Sequence, residues 1–260
     1  MLKILKYSFY DLIRSRWSYV YFLFYLALGF VLLFLNNDVS KAVITLMNVI
    51  IVLIPLIGTI FGVMYYYNSR EFTELLLAQP IKRSSIFLGQ YFGVAGSLTL
   101  SLVLGLGIPF VLYGLLRSNA IFDFSLLLVT GAFLTFIFVG LSFVIAISNE
   151  NKIKGFGYAV LLWLFLAVVY DGLFLMSLIV FEEYPLDTFS LVSTILNPID
   201  LSRILILLKL DISALLGYTG AIFKQFFGTN LGFLISLAIL LLWTILPILG
   251  LRYKAGKKDF

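Results

Sequence analysis

Few residues in this chain are equipped for chemistry, and three groups stand out. Asp171 sits inside an apolar run, "VVYDGLFL". An ionised, unpartnered carboxylate at membrane depth costs about 3 kcal/mol or more, so its presence there needs a reason. Three readings stay open: it lines a polar pathway, it exchanges a proton in gating, or it bonds structurally to Tyr170 or to a polar group on another helix. The second group is "LNPIDLSR", with Asn197, Pro198, Asp200 and Arg203. The third is "REFTELLLAQPIKRSS", which concentrates Arg70, Glu71, Glu74, Lys82 and Arg83 between two apolar blocks. The rest of the inventory is negative. The chain has no Cys and no His, which removes thiolate metal sites and histidine acid–base catalysis. It has no G-x-x-x-x-G-K-[ST] phosphate loop. No catalytic residue, metal site or cofactor is expected in this chain, and an intramembrane enzyme would need a second catalytic group at the depth of Asp171.

The elements that must position these residues can be read from composition. The sequence is 62% hydrophobic and 12% charged, against roughly half and a quarter for soluble domains. The excess lies in blocks at 17–35, 42–67, 86–116, 124–147, 156–181 and 231–251. Each is long enough to cross a bilayer as a helix, which takes about 20 residues. The third contains Gly105, Gly107 and Pro109 and invites a kink. Six spans put both termini on one side. Thirteen of the 18 Lys and Arg fall on that side, in 1–16, 69–85, 149–155 and the C-terminal tail, against five opposite (Lys41, Arg117, Arg203, Lys209 and Lys224). The positive-inside rule makes the first side cytoplasmic. The same rule accounts for the net charge of +5 without nucleic-acid binding, for which no basic face is left over.

The expected fold is therefore an all-α integral membrane domain spanning 1–260, with six transmembrane helices and three additions. Residues 1–16 form an amphipathic interfacial helix with Leu2, Leu5, Phe9, Leu12 and Ile13 on one face. Residues 69–85 form a cytoplasmic element in which a short helix ends before Pro80. The long connection 182–230 holds short extracytoplasmic helices before the last span, with 201–210 and 215–227 too short or interrupted to cross alone. Asn197-Pro198 breaks that segment, and Asp200 is placed to N-cap the helix over 201–210. "GVAG" (93–96) and "GLG" (105–107) are small-residue patches suited to close helix packing, and Asn48 and Thr59 read as interhelical hydrogen-bonding groups.

"TELLLAQPIKRSSIFLGQY" resembles the first cytoplasmic loop of ABC type-2 exporter permeases, often T-x-E-L-L-L-x-x-P followed by a basic pair. Thr73, Glu74, Leu75, Leu76, Leu77, Pro80, Arg83 and Gly89 match; Thr73 and Glu74 are adjacent here, and Phe72 replaces the usual Gly. The resemblance implies that Arg70, Glu71, Thr73, Glu74, Leu75, Leu76, Leu77, Pro80, Lys82 and Arg83 form the coupling surface for a separate ATPase dimer, which would carry ATP and Mg. It also implies pairing with a second copy of this chain in a bacterial cytoplasmic membrane. The Asn-Pro-x-Asp motif ahead of an Arg-containing helix is similar to the membrane subunit of the ABC transporter that matures nitrous-oxide reductase. That likeness implies a periplasmic maturation partner contacted near Asn197, Pro198, Asp200 and Arg203. It further implies a role in copper-centre assembly, through a sulfur-species cargo or conformational signalling. A general exporter of lipid, peptide or drug would share every inner feature.

Overall fold

The computed structural model describes residues 1–36, 38–181, 184, 186–209 and 229–257. Eleven helices carry the described chain. In order they are α1 (Leu2–Arg14), α2 (Arg16–Asn36), α3 (Val39–Asn68), α4 (Arg70–Leu77), α5 (Arg83–Leu112), α6 (Ile121–Ser148), α7 (Lys152–Leu164), α8 (Tyr170–Val180), α9 (Asp187–Leu196), α10 (Pro198–Lys209) and α11 (Asn230–Lys257). A π-helical turn, Phe165–Val169, joins α7 to α8 into one long helix. Among the described residues, six helices are long and apolar enough to cross a membrane: α2, α3, α5, α6, the α7–α8 unit and α11. This is an all-α integral membrane architecture, and the six apolar blocks of the sequence map onto those helices. The expected segment 215–227 lies outside the described residues.

Local signals place the helix ends. Asp38 caps α3 by accepting from the Ser40 amide (2.8 Å), and Asn151 caps α7 by accepting from Ile153 and Lys154. The third span is shorter than its apolar block. It stops at Leu112, and Gly114 (φ +92°) takes a left-handed turn before a single 3-10 turn at Leu115–Arg117. Hydropathy continues through Leu115 and Leu116 while the backbone does not, because Gly114 adopts the reversing conformation without steric cost.

Helices α3, α5 and α6 form the centre, and the others pack around them. Contacts fix which ends lie together. The Tyr67 hydroxyl donates to the Asn149 carbonyl (2.7 Å), Lys152 Nζ to Asn68 Oδ1 (3.0 Å) and Lys254 to Ser148. The end of α3, the start of α4, the α6–α7 loop and the C-terminal turn of α11 thus share one end, which is also the basic end of the sequence.

α1 packs by the face its apolar residues suggest, with Leu12 buried and Leu5, Phe9 and Ile13 half-buried, except at Leu2. Ile4, Ser8 and Leu12 are its buried residues, whereas Leu2 is 80% exposed. Glycines in α5 set this choice. A Cβ at Gly93 would lie 2.7 Å from Ser8 Cβ and 2.9 Å from the Leu5 carbonyl, and one at Gly89 would lie 3.0 Å from Ile4. Farther along, Gly105 faces Tyr25 Cβ at 2.8 Å in the same way. Small residues let backbones approach closely, the main source of helix association in lipid. Thr59, expected to bond between helices, instead donates to the Pro55 carbonyl of its own helix (2.8 Å), while Asn48 lies on an exposed face.

Gly93→Ala should therefore cost about 1–3 kcal/mol through overpacking and free α1, lowering the unfolding temperature in detergent and speeding tryptic cleavage after Arg14. Gly107→Ala, with nothing within 4 Å of the added carbon, should be neutral or slightly stabilising.

Candidate functional site

The polar groups singled out in the sequence gather at two places, one at mid-depth in the fifth span and one at the basic end of the bundle. The first is built on a broken helix. α9 and α10 meet at Asn197 with a bend of 114°, the geometry of a broken span or re-entrant loop. Its tip lies deep. The Asn197 amide donates to the Leu166 carbonyl (2.8 Å) in the π turn, and Trp243 Nε1 of α11 donates to the Ile195 carbonyl (3.1 Å). Leu166 is about 21 Å of helical rise from Val180, so the break sits near the middle of the fifth span. Irregular backbone at such depth is tolerated only where protein or trapped water satisfies it.

Asn197 supplies that satisfaction. It is fully buried, its Oδ1 accepts from the Ile199 amide (3.1 Å), and its Nδ2 serves both the Leu166 carbonyl and Asp200 Oδ2 (2.8 Å). Asn197 is thus the cap of α10, with Pro198 at the first helical position, where its missing N–H costs nothing. The expectation that Asp200 caps this helix is corrected. Asp200 lies inside the first turn, where the positive end of the helix dipole favours a carboxylate.

Arg203, one turn farther on, joins the two acidic residues. Its Nη1 donates to Asp171 Oδ2 at 2.7 Å and lies 3.3 Å from Asp200 Oδ1. The first is a charge-assisted hydrogen bond. The second is proximity without hydrogen-bond geometry, and Asp200 Oδ1 makes no hydrogen bond among the described residues. Tyr170 adds a further tie by donating to the Ser193 carbonyl (2.7 Å). Asp171 is therefore paired across helices, and Tyr170 bonds to α9 instead. One guanidinium between two carboxylates leaves an excess acidic site that can hold a proton or attract a cation. The side chains of Asp171 and Arg203 remain 28% and 30% exposed, so the pair opens onto the outside of the chain beside α8.

The residues expected to touch an outer partner take another role. Asn197 and Asp200 are buried, Pro198 with them, and Arg203 is engaged with Asp171. Their side chains are spent holding the re-entrant break together. The break was legible as Asn-Pro; the partner of Asp171 was missed. Its signal was available, since Arg203 is a cation inside an apolar helix on the same side of the bundle. The π turn left no comparable trace.

The second site is α4. The chain leaves α3 through a single residue, Ser69, and α4 runs Arg70–Leu77, ending three residues ahead of Pro80. Thr73 is its buried anchor. Its hydroxyl donates to the Ser69 carbonyl (2.8 Å) and accepts from Nε2 of Gln90, a fully buried side chain of α5 (2.8 Å). Phe72 stacks on Tyr7 of α1 with centroids 4.5 Å apart. Glu71, Glu74, Leu75 and Ala78 are exposed, with Leu75 at 69%. Their i, i+3, i+4, i+7 spacing makes one outward stripe. Arg70 pairs with Glu74 at 3.0 Å along the surface; Leu76 and Leu77 are half-buried, and Pro80, Lys82 and Arg83 are exposed in the turn into α5. Sequence reading found this helix and missed Gln90, which looks like an ordinary polar residue in a span.

Among the described residues, no group of three or more Asp and Glu side chains is placed to hold a metal ion. No known family model matches the chain, and no characterised protein matches it significantly.

Removing one member of the charged cluster leaves the others unpaired. Arg203→Ala should destabilise the chain by about 2 kcal/mol. Combining Asp171→Asn with Arg203→Gln should cost at least about 1 kcal/mol less than the sum of the single changes. Thermal unfolding in detergent across the double-mutant cycle measures this.

Proposed function

We propose that this chain is the permease subunit of an ABC transporter, working as a pair of identical copies with a separate ATPase docked on α4. The observation that carries the reading is the way α4 is mounted. It is joined to α3 through one residue, bonded to α5 through Thr73 and Gln90, and stacked on α1 through Phe72 and Tyr7, while it offers a Glu71–Glu74–Leu75–Ala78 stripe outward. A displacement of α4 by a partner would pull on three helices at once. Short amphipathic helices with that spacing fit grooves on partner proteins. The resemblance of 73–91 to permease coupling loops supplies the identity of the partner, and the basic charge of this end supports a cytoplasmic location with both termini inside.

At the other site, a discontinuous helix broken near mid-depth beside charged side chains is a frequent arrangement in transporters. Asp171 and Arg203 are partly exposed there, and α8 buries none of its side chains. Charged groups facing lipid at that depth are costly, so a second copy or water between copies covers this face. The Asn-Pro-x-Asp resemblance favours the narrower role in nitrous-oxide-reductase maturation over general export of lipid, peptide or drug.

The test is affinity purification of the tagged chain from its native membrane in mild detergent, with mass spectrometry of the proteins that remain bound. An ATPase should co-purify. Glu71→Arg combined with Leu75→Asp should reduce its recovery at least about tenfold, and Gln90→Leu should retain it. A copper-handling outer partner in the same complex supports the maturation role. A well-folded chain with no ATPase overturns the proposal.

A further inference from the structure

The basic end holds a cavity that the coupling reading does not use. It lies between α1, the start of α2, the last two turns of α3 and α4, and measures about 590 Å³, within the ~300–1,000 Å³ usual for small-molecule sites. Its walls are mostly apolar: Leu12, Trp17, Ile60, Phe61, Met64 and Phe72. Tyr65 lines the cavity as well, only 8% exposed, with its hydroxyl buried beside Ser8 and Asp11 of α1.

The mouth is charged in a specific way. Tyr7 and Asp11 line both this cavity and a second hollow along the outer face of α1, whose other walls are Lys3, Lys6, Tyr10 and Arg14. An apolar cavity therefore opens beside three cations and one carboxylate. Depth matches as well. α1 packs on Gly89 and Gly93, about 9–15 Å of helical rise from Arg83 at the start of α5. That is the level at which headgroups give way to acyl chains. Trp17, 66% exposed at the start of α2, has the position of an interfacial anchor.

We propose that this hollow binds one phospholipid whose headgroup carries both a phosphate and a primary ammonium, the chemistry of phosphatidylethanolamine. One acyl chain fills the apolar cavity. The phosphate lies on Lys3, Lys6 and Arg14, and the ammonium meets Asp11. A purely anionic headgroup would satisfy the cations and be repelled by Asp11. A quaternary ammonium would satisfy the charge of Asp11 without a hydrogen bond. The proposal does not depend on an ATPase partner.

Native mass spectrometry of the full chain, delipidated and then supplied with phosphatidylethanolamine, phosphatidylcholine or phosphatidylglycerol of identical acyl chains, tests it. The unmodified chain should retain one phosphatidylethanolamine, about tenfold more tightly than either other lipid. Asp11→Asn, a change at an exposed position, should erase that preference while phosphatidylcholine still binds. Met64→Trp, which fills the cavity, should remove the tight adduct. Equal retention of the three lipids by the unmodified chain would show annular lipid only and overturn the proposal, as would tighter binding of phosphatidylglycerol. These two outcomes need no variant, so a folding defect in Met64→Trp leaves the test intact.

Discussion

The close approach of backbones along α5 is the constraint on which the other features rest. Gly93 admits α1, and Gly105 admits α2, at separations that a single added carbon would forbid, and Gly89 sits nearly as tight against Ile4. In lipid, apolar side chains gain little by meeting one another rather than acyl chains, so fit decides which helices associate. With α1 seated in that notch, Tyr7 can reach Phe72, and with α5 fixed, Gln90 can reach Thr73. The mounting of α4 and the cavity beside it are both consequences. The cavity and the Tyr7–Phe72 part of the mounting are lost if α1 floats free in the interface.

At mid-depth the organising fact is a helix broken where backbone cannot be left unsatisfied. Asn197 resolves this by turning one side chain to three partners, including the Leu166 carbonyl in the π turn of the fifth span. The break and the π turn therefore belong to one arrangement. Arg203 then sits where it can reach both Asp171 and Asp200, and the cost of each charge is offset by its neighbours. The two sites differ in kind: one is a rigid mount with an exposed stripe, and the other is a charged junction open to the side.

Much of this was legible in the sequence because the bilayer imposes a length and a polarity that a single chain records directly. The six apolar blocks, the amphipathic α1, the helix before Pro80 and the break at Asn197 all obey local rules. Boundaries failed where a glycine outvoted hydropathy, as at Gly114. Roles failed where a side chain had two possible allegiances. Thr59 turned to its own helix, and Asn197 and Asp200, read as outward contacts, turned inward.

The sequence by itself determined that the chain is an all-α membrane protein and how its helices are laid out, because hydrophobic length and charge asymmetry act residue by residue. Only the tertiary structure decided which polar residues meet. Asp171 and Arg203 are separated by the turn into α9 and by the break at Asn197, and Thr73 and Gln90 by the turn at Pro80. Whether such groups pair depends on the depth and rotation of each helix. Those are set by small-residue packing among all the helices together, which no local pattern encodes.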